Sequence, residues 1–277
     1  MDLVIRRARP SDKRGVLAAV RTIWGGQDRV PEVFDSWVTH RTGPFFVAEA
    51  GGRVVGMGKL TVVSPTEAWL EGGRVAPRWR RKGIATALIA HRIAYARERE
   101  IGVLRFSTAS DNTPIHRAAR RFGFRSVARL SRRAAPAKPG PSPARATRAQ
   151  ARAVLRRVSP LVQLGHGWEW REITARDVRS AIARSRVFVS DERVGAAAVV
   201  GDPYDRSLMV AAVGGRATPL ADLLRGLRSE ASRRGLEDVS FYVSNAAERR
   251  AARAAGYQRP WSGEIYLFEK RFKRPAG

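Results

Sequence analysis

The chain has 277 residues, of which 44% are hydrophobic, so it can form one large domain or two medium ones around a substantial core. It contains no cysteine, which excludes disulfides, thiolate metal sites and a cysteine nucleophile. Its histidines are scattered rather than set at the spacing of metal ligands, and we therefore expect no metal. They are His40, His91, His116 and His166.

The formal net charge of +27 points to an anionic partner: a nucleic acid, an anionic membrane surface or an acidic substrate. All but six of the 52 basic residues are arginines spread along the chain, which a GC-rich genome would also produce. A nucleic-acid partner is therefore an alternative that the charge leaves open. No segment approaches the ~20 apolar residues of a membrane span, and the first residues lack the apolar stretch of a signal peptide. We expect a cytoplasmic protein without a membrane partner.

Strand and helix signals alternate through the first half of the chain. Apolar patterns bounded by turn residues predict strands over residues 3–7, 45–49, 53–63, 68–75, 103–108 and 124–130. Helix start signals and helical periodicity predict helices over residues 10–24, 32–40, 83–99 and 113–121. Gly51-Gly52 supplies the turn of a hairpin between the second and third strands.

The composition changes abruptly at residues 134–146, AAPAKPGPSPARA. Proline, alanine and glycine replace apolar periodicity there, which predicts a linker. The linker would separate an N-terminal domain, residues 1–133, from a C-terminal domain, residues 147–277.

Two features of the N-terminal domain recur after the linker. Phe188-Val189-Ser190 repeats Phe46-Val47-Ala48 at the start of a hairpin. The eleven-residue spacing that joins an asparagine to a Gly-aromatic pair occurs twice, from Asn112 to Gly123 and from Asn245 to Gly256. Two matches in register predict a tandem repeat of one fold.

The stretch VAPRWRRKGIATAL, from Val75 to Leu88, places cationic residues and a glycine where a strand gives way to a helix. The first N–H groups of a helix have no carbonyl partner, and the helix dipole adds partial positive charge there. Gly83 allows a ligand to approach the backbone, while Arg80, Arg81 and Lys82 supply charge and donors. Cations at this helix end oppose the dipole unless an anion is bound, so the stretch predicts a polyphosphate site rather than a solvated face.

Three motifs occur together in the N-terminal half. They are a strand ending in Val75-Ala76-Pro77, the pattern Arg80-x-x-Gly83-x-Ala85, and Asn112 eleven residues before Gly123-Phe124. Together they resemble the GNAT acetyltransferases over residues 2–133, whereas the second half matches weakly. The resemblance implies an α/β fold of two GNAT-like domains, each with a mixed, mostly antiparallel central sheet flanked by helices.

The resemblance also implies acetyl-CoA as the polyphosphate ligand. The loop before the helix would hold its pyrophosphate, and the strand ending near Val75 would splay from its neighbour. The Val75 N–H would then face the thioester oxygen. The residues implied in binding acetyl-CoA are Val75, Ala76, Arg80, Arg81, Lys82, Gly83, Ile84, Ala85, Thr86 and Asn112.

Direct acetyl transfer needs a base to deprotonate the attacking amine. Many GNAT relatives carry a glutamate on the strand before the loop for this purpose, and Glu71 and Glu67 are the candidates here. Both lie at even separations from Val75, which would place them on its side of the strand. We favour Glu71 because it is closer to the bond-making end. The alternative is a glutamate at the strand's rim that pairs with an arginine.

The general acid is less well defined. The resemblance places a tyrosine seven residues after Asn112, where this chain has Ala119. Water or His116, one turn earlier on the same helical face, would protonate the leaving thiolate, or the thiolate would leave unprotonated. The alternative interpretation of His116 is an ordinary surface histidine near an anionic cofactor. Asn112 would orient the cofactor or cap the short helix.

The C-terminal counterpart of the loop, VAAVGGRATPLADLL, keeps Arg216 but lacks the R-x-x-G-x-G/A pattern. We therefore expect a degenerate GNAT-like domain that helps to shape the acceptor pocket. Trp168 and Trp170 alternate with Glu169 on a predicted strand. They would pack in the core or between domains, or alternatively would line the acceptor site.

The leading hypothesis is an acetyl-CoA-dependent N-acetyltransferase that acts on a small amine or a peptide, as a monomer or homodimer. One alternative is a non-catalytic GNAT-derived module that binds acetyl-CoA or nucleic acid. Another is an acetyltransferase whose acceptor is RNA-linked or otherwise polyanionic.

Overall fold

The computed structural model describes residues 2–41, 43–165, 167–190 and 194–272. By its internal contacts the chain divides into two compact units. The N-terminal unit comprises the residues up to Phe106, Thr113–Arg125 and the residues from Phe268 onward. The C-terminal unit comprises Ser107–Asn112 and Ser126–Leu267.

The N-terminal unit alternates strands and helices in the predicted order. Its strands are β1 (Leu3–Arg7), β2 (Phe45–Ala50), β3 (Arg53–Ser64), β4 (Glu67–Val75) and β5 (Val103–Ala109). Its helices are α1 (Lys13–Val20), α2 (Val30–Thr39), α3 (Ile84–Glu98) and α4 (Thr113–Arg121). The five strands lie side by side in chain order and are antiparallel, except that β4 and β5 run parallel.

Alternate residues of β2 serve two separate cores. Phe45 and Val47 pack with residues of α1 and α2, including Val16 and Phe34. The neighbouring residues Phe46 and Ala48 pack instead with Ile84 and Leu88 of α3. Because successive side chains of a strand point to opposite faces, α1 and α2 cover one face of the sheet and α3 covers the other.

The parallel pairing of β4 with β5 is short. Its register runs from Glu67 opposite Val103 to Trp69 opposite Arg105. Within the described chain, no residue of β4 after Trp69 pairs with β5. The second half of β4 therefore leaves the edge that faces β5 unpaired, as expected from the resemblance.

The C-terminal unit holds the remaining elements. Its strands are β6 (Arg125–Pro136), β7 (Ala144–Arg145), β8 (Leu161–Gln163), β9 (Trp170–Glu172), β10 (Val187–Val189), β11 (Ala196–Val200), β12 (Ser207–Gly215), β13 (Asp238–Val243) and β14 (Ile265–Arg271), the last of which continues into the N-terminal unit. Its helices are α5 (Ala151–Arg157), α6 (Ala175–Ala183), α7 (Ala217–Arg233) and α8 (Ala246–Ala254). The main sheet has the order β6-β13-β12-β11-β10-β7, with β12 and β13 parallel, and β8 pairs with β9 separately.

Both units contain the same series of elements: a hairpin, a strand, a helix, a parallel strand and a second helix. The second helix ends in the same way in each. Gly123 and Gly256 have φ values of 72° and 81°. The next residues, Phe124 and Tyr257, donate their N–H groups to carbonyl oxygens five residues back, each at 2.9 Å. This is the Schellman ending, in which glycine adopts the left-handed conformation at low cost.

The structure departs from three sequence expectations. The first predicted helix stops at Val20, because Trp24 and Gly25 adopt left-handed backbone conformations with φ of 49° and 65°. Part of the predicted linker is strand: Ala134 to Pro136 extend β6 and pair with β13, while β7 pairs with β10. These backbone groups are satisfied by a sheet and are not free to swing as a linker.

The third difference concerns the end of the chain. The boundaries predicted from the sequence place residues 147–277 in the second domain, whereas the residues from Phe268 onward make their contacts in the N-terminal unit. There the Phe272 N–H donates to Gly102 O at 2.9 Å. None of the helices in the described residues combines the length and the apolar character that a membrane-spanning helix needs.

Candidate active site

The connection between β4 and α3 makes two turns. Pro77–Trp79 forms a 3-10 turn in which the Trp79 N–H donates to Ala76 O at 2.8 Å. Arg81 and Gly83 then adopt left-handed conformations, with φ of 62° and 80°. A Cβ at Gly83 would meet nothing within 4 Å, so the backbone faces open space where α3 begins.

A run of N–H groups at this connection has no protein acceptor in a segment that the structure describes completely. The groups belong to Arg81, Lys82, Gly83, Ile84, Ala85 and Thr86. The first helical bond runs from the Ala87 N–H to Gly83 O at 2.9 Å. No side chain caps the helix, and its first turn contains no acidic residue. Free N–H groups at the positive end of a helix dipole form a site for an anion.

Three consecutive residues at the start of this run carry cationic side chains, and all three are exposed. Among the described residues, Arg80, Arg81 and Lys82 form no ion pair. Lys82 Nζ lies 4.8 Å from the ring centroid of Trp79, which holds its charge beside the turn. The charges and the free backbone donors suit a ligand that carries several phosphate oxygens.

The backbone of Val75 also presents a free donor. The Ala76 N–H donates to Val55 O at 2.9 Å, so the pair Gly56–Val75 is the non-hydrogen-bonded one in this antiparallel ladder. The Val75 N–H therefore points away from β3, toward the edge where β4 no longer pairs with β5. Ala76 differs from expectation, because its N–H is already used within the sheet.

Glu71 lies two residues after the last β4–β5 pair. Thr61 Oγ1 donates to Glu71 Oε1 at 2.6 Å. The expectation that Glu71 shares a side of the strand with Val75 is wrong. A bulge at Gly72, where φ is 62°, adds a residue to β4 between them. Val75 packs toward α3, with the cluster that contains Ile84.

The opposite face carries a polar cluster around Glu71 that sequence reasoning missed. Lys59 stands opposite Glu71 in the ladder and is 1% exposed. Its Nζ donates to Gly43 O at 2.9 Å and lies 3.1 Å from His40 Nδ1. Burial and the positive charge of Lys59 lower the pKa of His40, and the charge of Glu71 opposes this shift. A lysine in an otherwise apolar strand was the signal available in the sequence.

Arg92 of α3 approaches the same segment from the face of the sheet that α3 covers. Its NH1 donates to Lys59 O at 3.2 Å and to Glu71 O at 3.3 Å. A Cβ on Gly58 would lie 2.8 Å from the guanidinium carbon, so the glycine makes room for it. Burial lowers the pKa of Arg92 to about 10, and Glu71 acts against that shift. The hydrogen bonds from Arg92 therefore hold in place the backbone segment that carries Glu71.

Glu67, the other candidate base, is a structural ion-pair partner. Arg105 NH1 donates to Glu67 Oε2 at 2.5 Å, and Arg105 NH2 lies 2.7 Å from Glu269 Oε2. Arg105 and Glu67 are both buried. A buried carboxylate paired in this way is not free to exchange a proton with substrate.

The residues considered for the general acid and its neighbourhood have different environments. His116 is half-buried on α4, with its ring 5.3 Å from that of Phe268 in an edge-on contact. Ala119 is 2% exposed and forms part of the core. Asn112, grouped with the C-terminal unit, donates from Nδ2 to Thr108 Oγ1 at 2.9 Å. The hydrogen bond fixes the asparagine's orientation before α4 begins.

The two tryptophans have different environments. Trp170 is buried and packs edge-on against Tyr242, whereas Trp168 is 40% exposed and stacks on Trp261. Trp170 thus fits the packing interpretation, and Trp168 precedes β9. Among the described residues no group of acidic or histidine side chains could hold a metal, and His166 lies outside them.

The described residues of the C-terminal unit do not form a corresponding site. Arg216 alone separates β12 from α7, and its N–H donates to Gly195 O at 3.0 Å. Ser207 and Glu67 occupy equivalent places, because each pairs with the first residue of the adjacent parallel strand. Counting from them, Ala211 takes the position of Glu71. Neither the loop nor the carboxylate has a counterpart.

A mixed sheet with a splayed parallel pair and free N–H groups at a helix start defines an α/β protein with a candidate site for an anionic ligand. Residues 16–124, which belong to the N-terminal unit except for Ser107–Asn112, match the model of the acetyltransferase (GNAT) family.

Similarity of fold to known proteins covers nearly the whole chain, whereas similarity of sequence covers about a quarter of it. A GCN5-related N-acetyltransferase from Sphaerobacter thermophilus has a TM-score of 0.62, with 16% identity, over 97% of this chain and 95% of that one. This likeness concerns the fold. Histidine N-acetyltransferase of Oreochromis niloticus is 33% identical over 75 residues, which are 27% of this chain and 22% of the relative. The Xenopus tropicalis protein of the same name is 35% identical over 74 residues, 26% of this chain and 23% of the relative. The matched segment therefore spans less than a quarter of these relatives.

Proposed function

We propose that the chain is an acetyl-CoA-dependent N-acetyltransferase whose active site lies in the N-terminal unit. The observation that carries this proposal is the run of acceptor-free N–H groups from Arg81 to Thr86, flanked by unpaired cations. It supports a pyrophosphate site on the segment that matches the GNAT family. The C-terminal unit would be a degenerate repeat of the same fold, which the shared series of elements supports.

The proposed reaction is a direct transfer. Glu71 takes a proton from the acceptor's ammonium group, and the neutral amine attacks the thioester carbon. The Val75 N–H donates to the oxygen on which negative charge develops. The attacking nitrogen then loses its second proton to water and the carbon–sulfur bond breaks. The acetyl group stays on nitrogen as an amide, and coenzyme A leaves as a thiolate. His116 or water supplies the proton to sulfur.

The acceptor would be a small amine or a peptide N-terminus. The relatives named histidine N-acetyltransferase make the α-amino group of free histidine the first acceptor to test. Their matched segment is short, so a panel of other amino acids, polyamines, aminoglycosides and peptides belongs in the same assay. Transfer is followed as thiol released from acetyl-CoA.

Titration calorimetry with acetyl-CoA tests the donor site. We expect the full chain to bind with a dissociation constant on the order of micromolar. R80A/R81A should weaken binding at least about tenfold, because two charge-assisted contacts to phosphate are lost. R148A/R152A removes the same charge from exposed positions of the C-terminal unit and should leave binding unchanged. A full chain that binds no acetyl-CoA would overturn the proposal.

A further inference from the structure

A second concentration of arginines lies entirely within the C-terminal unit. It surrounds a groove of about 570 Å³, which we call the arginine groove. Its lining residues are Arg133, Ala246, Arg249, Arg250, Arg253, Tyr257, Gln258 and Arg259. Arg133 comes from β6, three arginines come from one face of α8, and Arg259 follows that helix.

No carboxylate in the described part of the chain forms an ion pair with these arginines. Among the described residues, Arg249, Arg250 and Arg253 are exposed and form no ion pair. Two acidic residues are near these arginines: Glu248 precedes Arg249 in the sequence, and Glu264 acts electrostatically on Arg133. Both have other partners. Glu248 is buried and accepts from the Ser244 N–H at 2.6 Å, and Glu264 pairs with Arg129 at 3.3 Å.

The groove is electrostatically unfavourable when it holds no anion. Arg249 and Arg253 are four residues apart on a helix, an arrangement of like charges that destabilises it. Burial, followed by the positive charges of Arg259, Arg249 and Arg253, lowers the pKa of Arg133. The negative charge of Glu264 acts against this shift. A chain of phosphates would remove the repulsion.

An exposed aromatic platform adjoins the groove through Arg259. Trp168 and Trp261 stack with ring centroids 5.7 Å apart and an interplanar angle of 23°, and they are 40% and 39% exposed. Arg259 NH2 donates to Ser262 O and, at 3.1 Å, to Gly263 O, so its guanidinium lies on the loop that carries Trp261. Two residues of chain span at most about 7 Å, roughly the spacing of one nucleotide along an extended strand.

We propose that the C-terminal unit binds single-stranded nucleic acid, with phosphates in the arginine groove and a base on the exposed tryptophan pair. The two observations complement each other: cationic grooves follow the phosphate backbone, while aromatic faces stack bases without strong sequence preference. A small anion would use the arginines but would not need the platform. This binding is independent of acetyl transfer and of the loop before α3.

Fluorescence anisotropy with labelled oligouridylate and oligothymidylate of about 12 nucleotides tests the proposal. The full chain should bind, and the logarithm of its association constant should fall linearly with the logarithm of salt concentration. R249A/R250A/R253A should weaken binding at least about tenfold and reduce the salt slope by about 2, since each phosphate contact to a single strand contributes about 0.7. W261A should weaken binding by about tenfold and leave the slope unchanged.

Three controls make the test decisive. R148A/R152A/R156A removes equal charge from exposed positions on or beside α5 and should retain the binding of the unmodified chain. R80A/R81A should lose acetyl-CoA and keep the oligonucleotide, which separates this proposal from the transferase. Circular dichroism should show all variants folded. Equal losses in the α5 control, no binding at low salt, or equal displacement by tripolyphosphate at matched phosphate concentration would each overturn the proposal.

Discussion

The strand-to-helix connection differs between the two units, although the elements around it are the same. In the N-terminal unit the segment between β4 and α3 leaves the N–H groups of Arg81 to Thr86 without a protein acceptor. In the C-terminal unit the space is filled. A Cβ on Gly214 would lie 2.2 Å from Arg157 O, and one on Gly215 would lie 2.4 Å from the Cβ of Ala196. Glycine thus serves an open turn in one unit and close packing in the other.

A second comparison shows what the units keep in common. Arg6 forms paired bonds to Asp12, each at 2.8 Å, and Arg171 forms paired bonds to Asp177 six residues later, at 2.7 and 2.6 Å. Each aspartate also accepts, at 2.7 Å, the N–H of the residue three positions before it, Arg9 or Thr174. The arginine–aspartate device at the start of α1 recurs at the start of α6 in the C-terminal unit, whereas the described residues place the run of free N–H groups before α3 alone. Contacts that stabilise the fold are therefore repeated, whereas the features of the candidate site are not.

The largest effect should come from reversing charge at the two connections. R80E/R81E should weaken acetyl-CoA binding by about 100-fold or more, because each glutamate repels the phosphates that the arginine attracted. R216E should leave binding unchanged, since Arg216 has no phosphate loop beside it. Calorimetry on both variants measures the contrast. A comparable loss in R216E would mean that the donor site is not confined to the N-terminal unit.

Removing the carboxylate should affect turnover rather than binding. E71Q should lower kcat by about 100-fold near neutral pH, within the range for a lost general base, and leave the affinity for acetyl-CoA unchanged. The deficit should shrink as rising pH deprotonates the free amine. A211E introduces a glutamate at the equivalent position of the C-terminal unit and should change neither property. Unaltered turnover of E71Q at every pH would exclude Glu71 as the base.

The two kinds of glycine should respond differently to alanine. G83A forces an L residue to keep φ at 80° without a clash, at a cost of about 1 kcal/mol in the free energy of unfolding. G214A meets backbone at 2.2 Å and should cost about 3 kcal/mol, because the backbone of Arg157 must move. Urea unfolding of both variants gives the two values. A larger cost for G83A than for G214A would contradict the assignment of Gly83 to an open turn and of Gly214 to a closely packed one.

The sequence predicted the strand-to-helix connection before α3 well because its features are local. A glycine, three cations and a helix start are adjacent in the chain, and the strand before them ends at Val75 as expected. The orientation of Glu71 was predicted wrongly, because the bulge at Gly72 depends on how β4 pairs with β3. Strand alternation has a period of two, so one added residue moves a side chain to the other face.

Contacts that join distant segments were not predictable. Lys59 meets His40 and Gly43 across the sheet, and nothing in the spacing of these residues indicates it. The arginine groove combines Arg133 with residues of α8 more than a hundred positions later. In the sequence its members are indistinguishable from the many other arginines. The role of a charged side chain depends on the residues around it, and the fold determines which residues those are.

The smallest effect should come from the repeated aspartates, and it should be similar in both units. Arg171 and the bonds from Thr174 hold the pKa of Asp177 at about 2, and Arg6 likewise lowers the pKa of Asp12. A carboxylate whose pKa is lowered by folding stabilises the protein above its unfolded pKa, about 4, and loses this contribution as pH falls through its folded value. Because Arg6, Arg171 and Asp177 are partly exposed to solvent, D12N and D177N should each cost about 1 kcal/mol at neutral pH. Urea unfolding from neutral pH to about pH 3 should show each variant approaching the unmodified chain, whereas a pH-independent difference would assign the loss to packing instead.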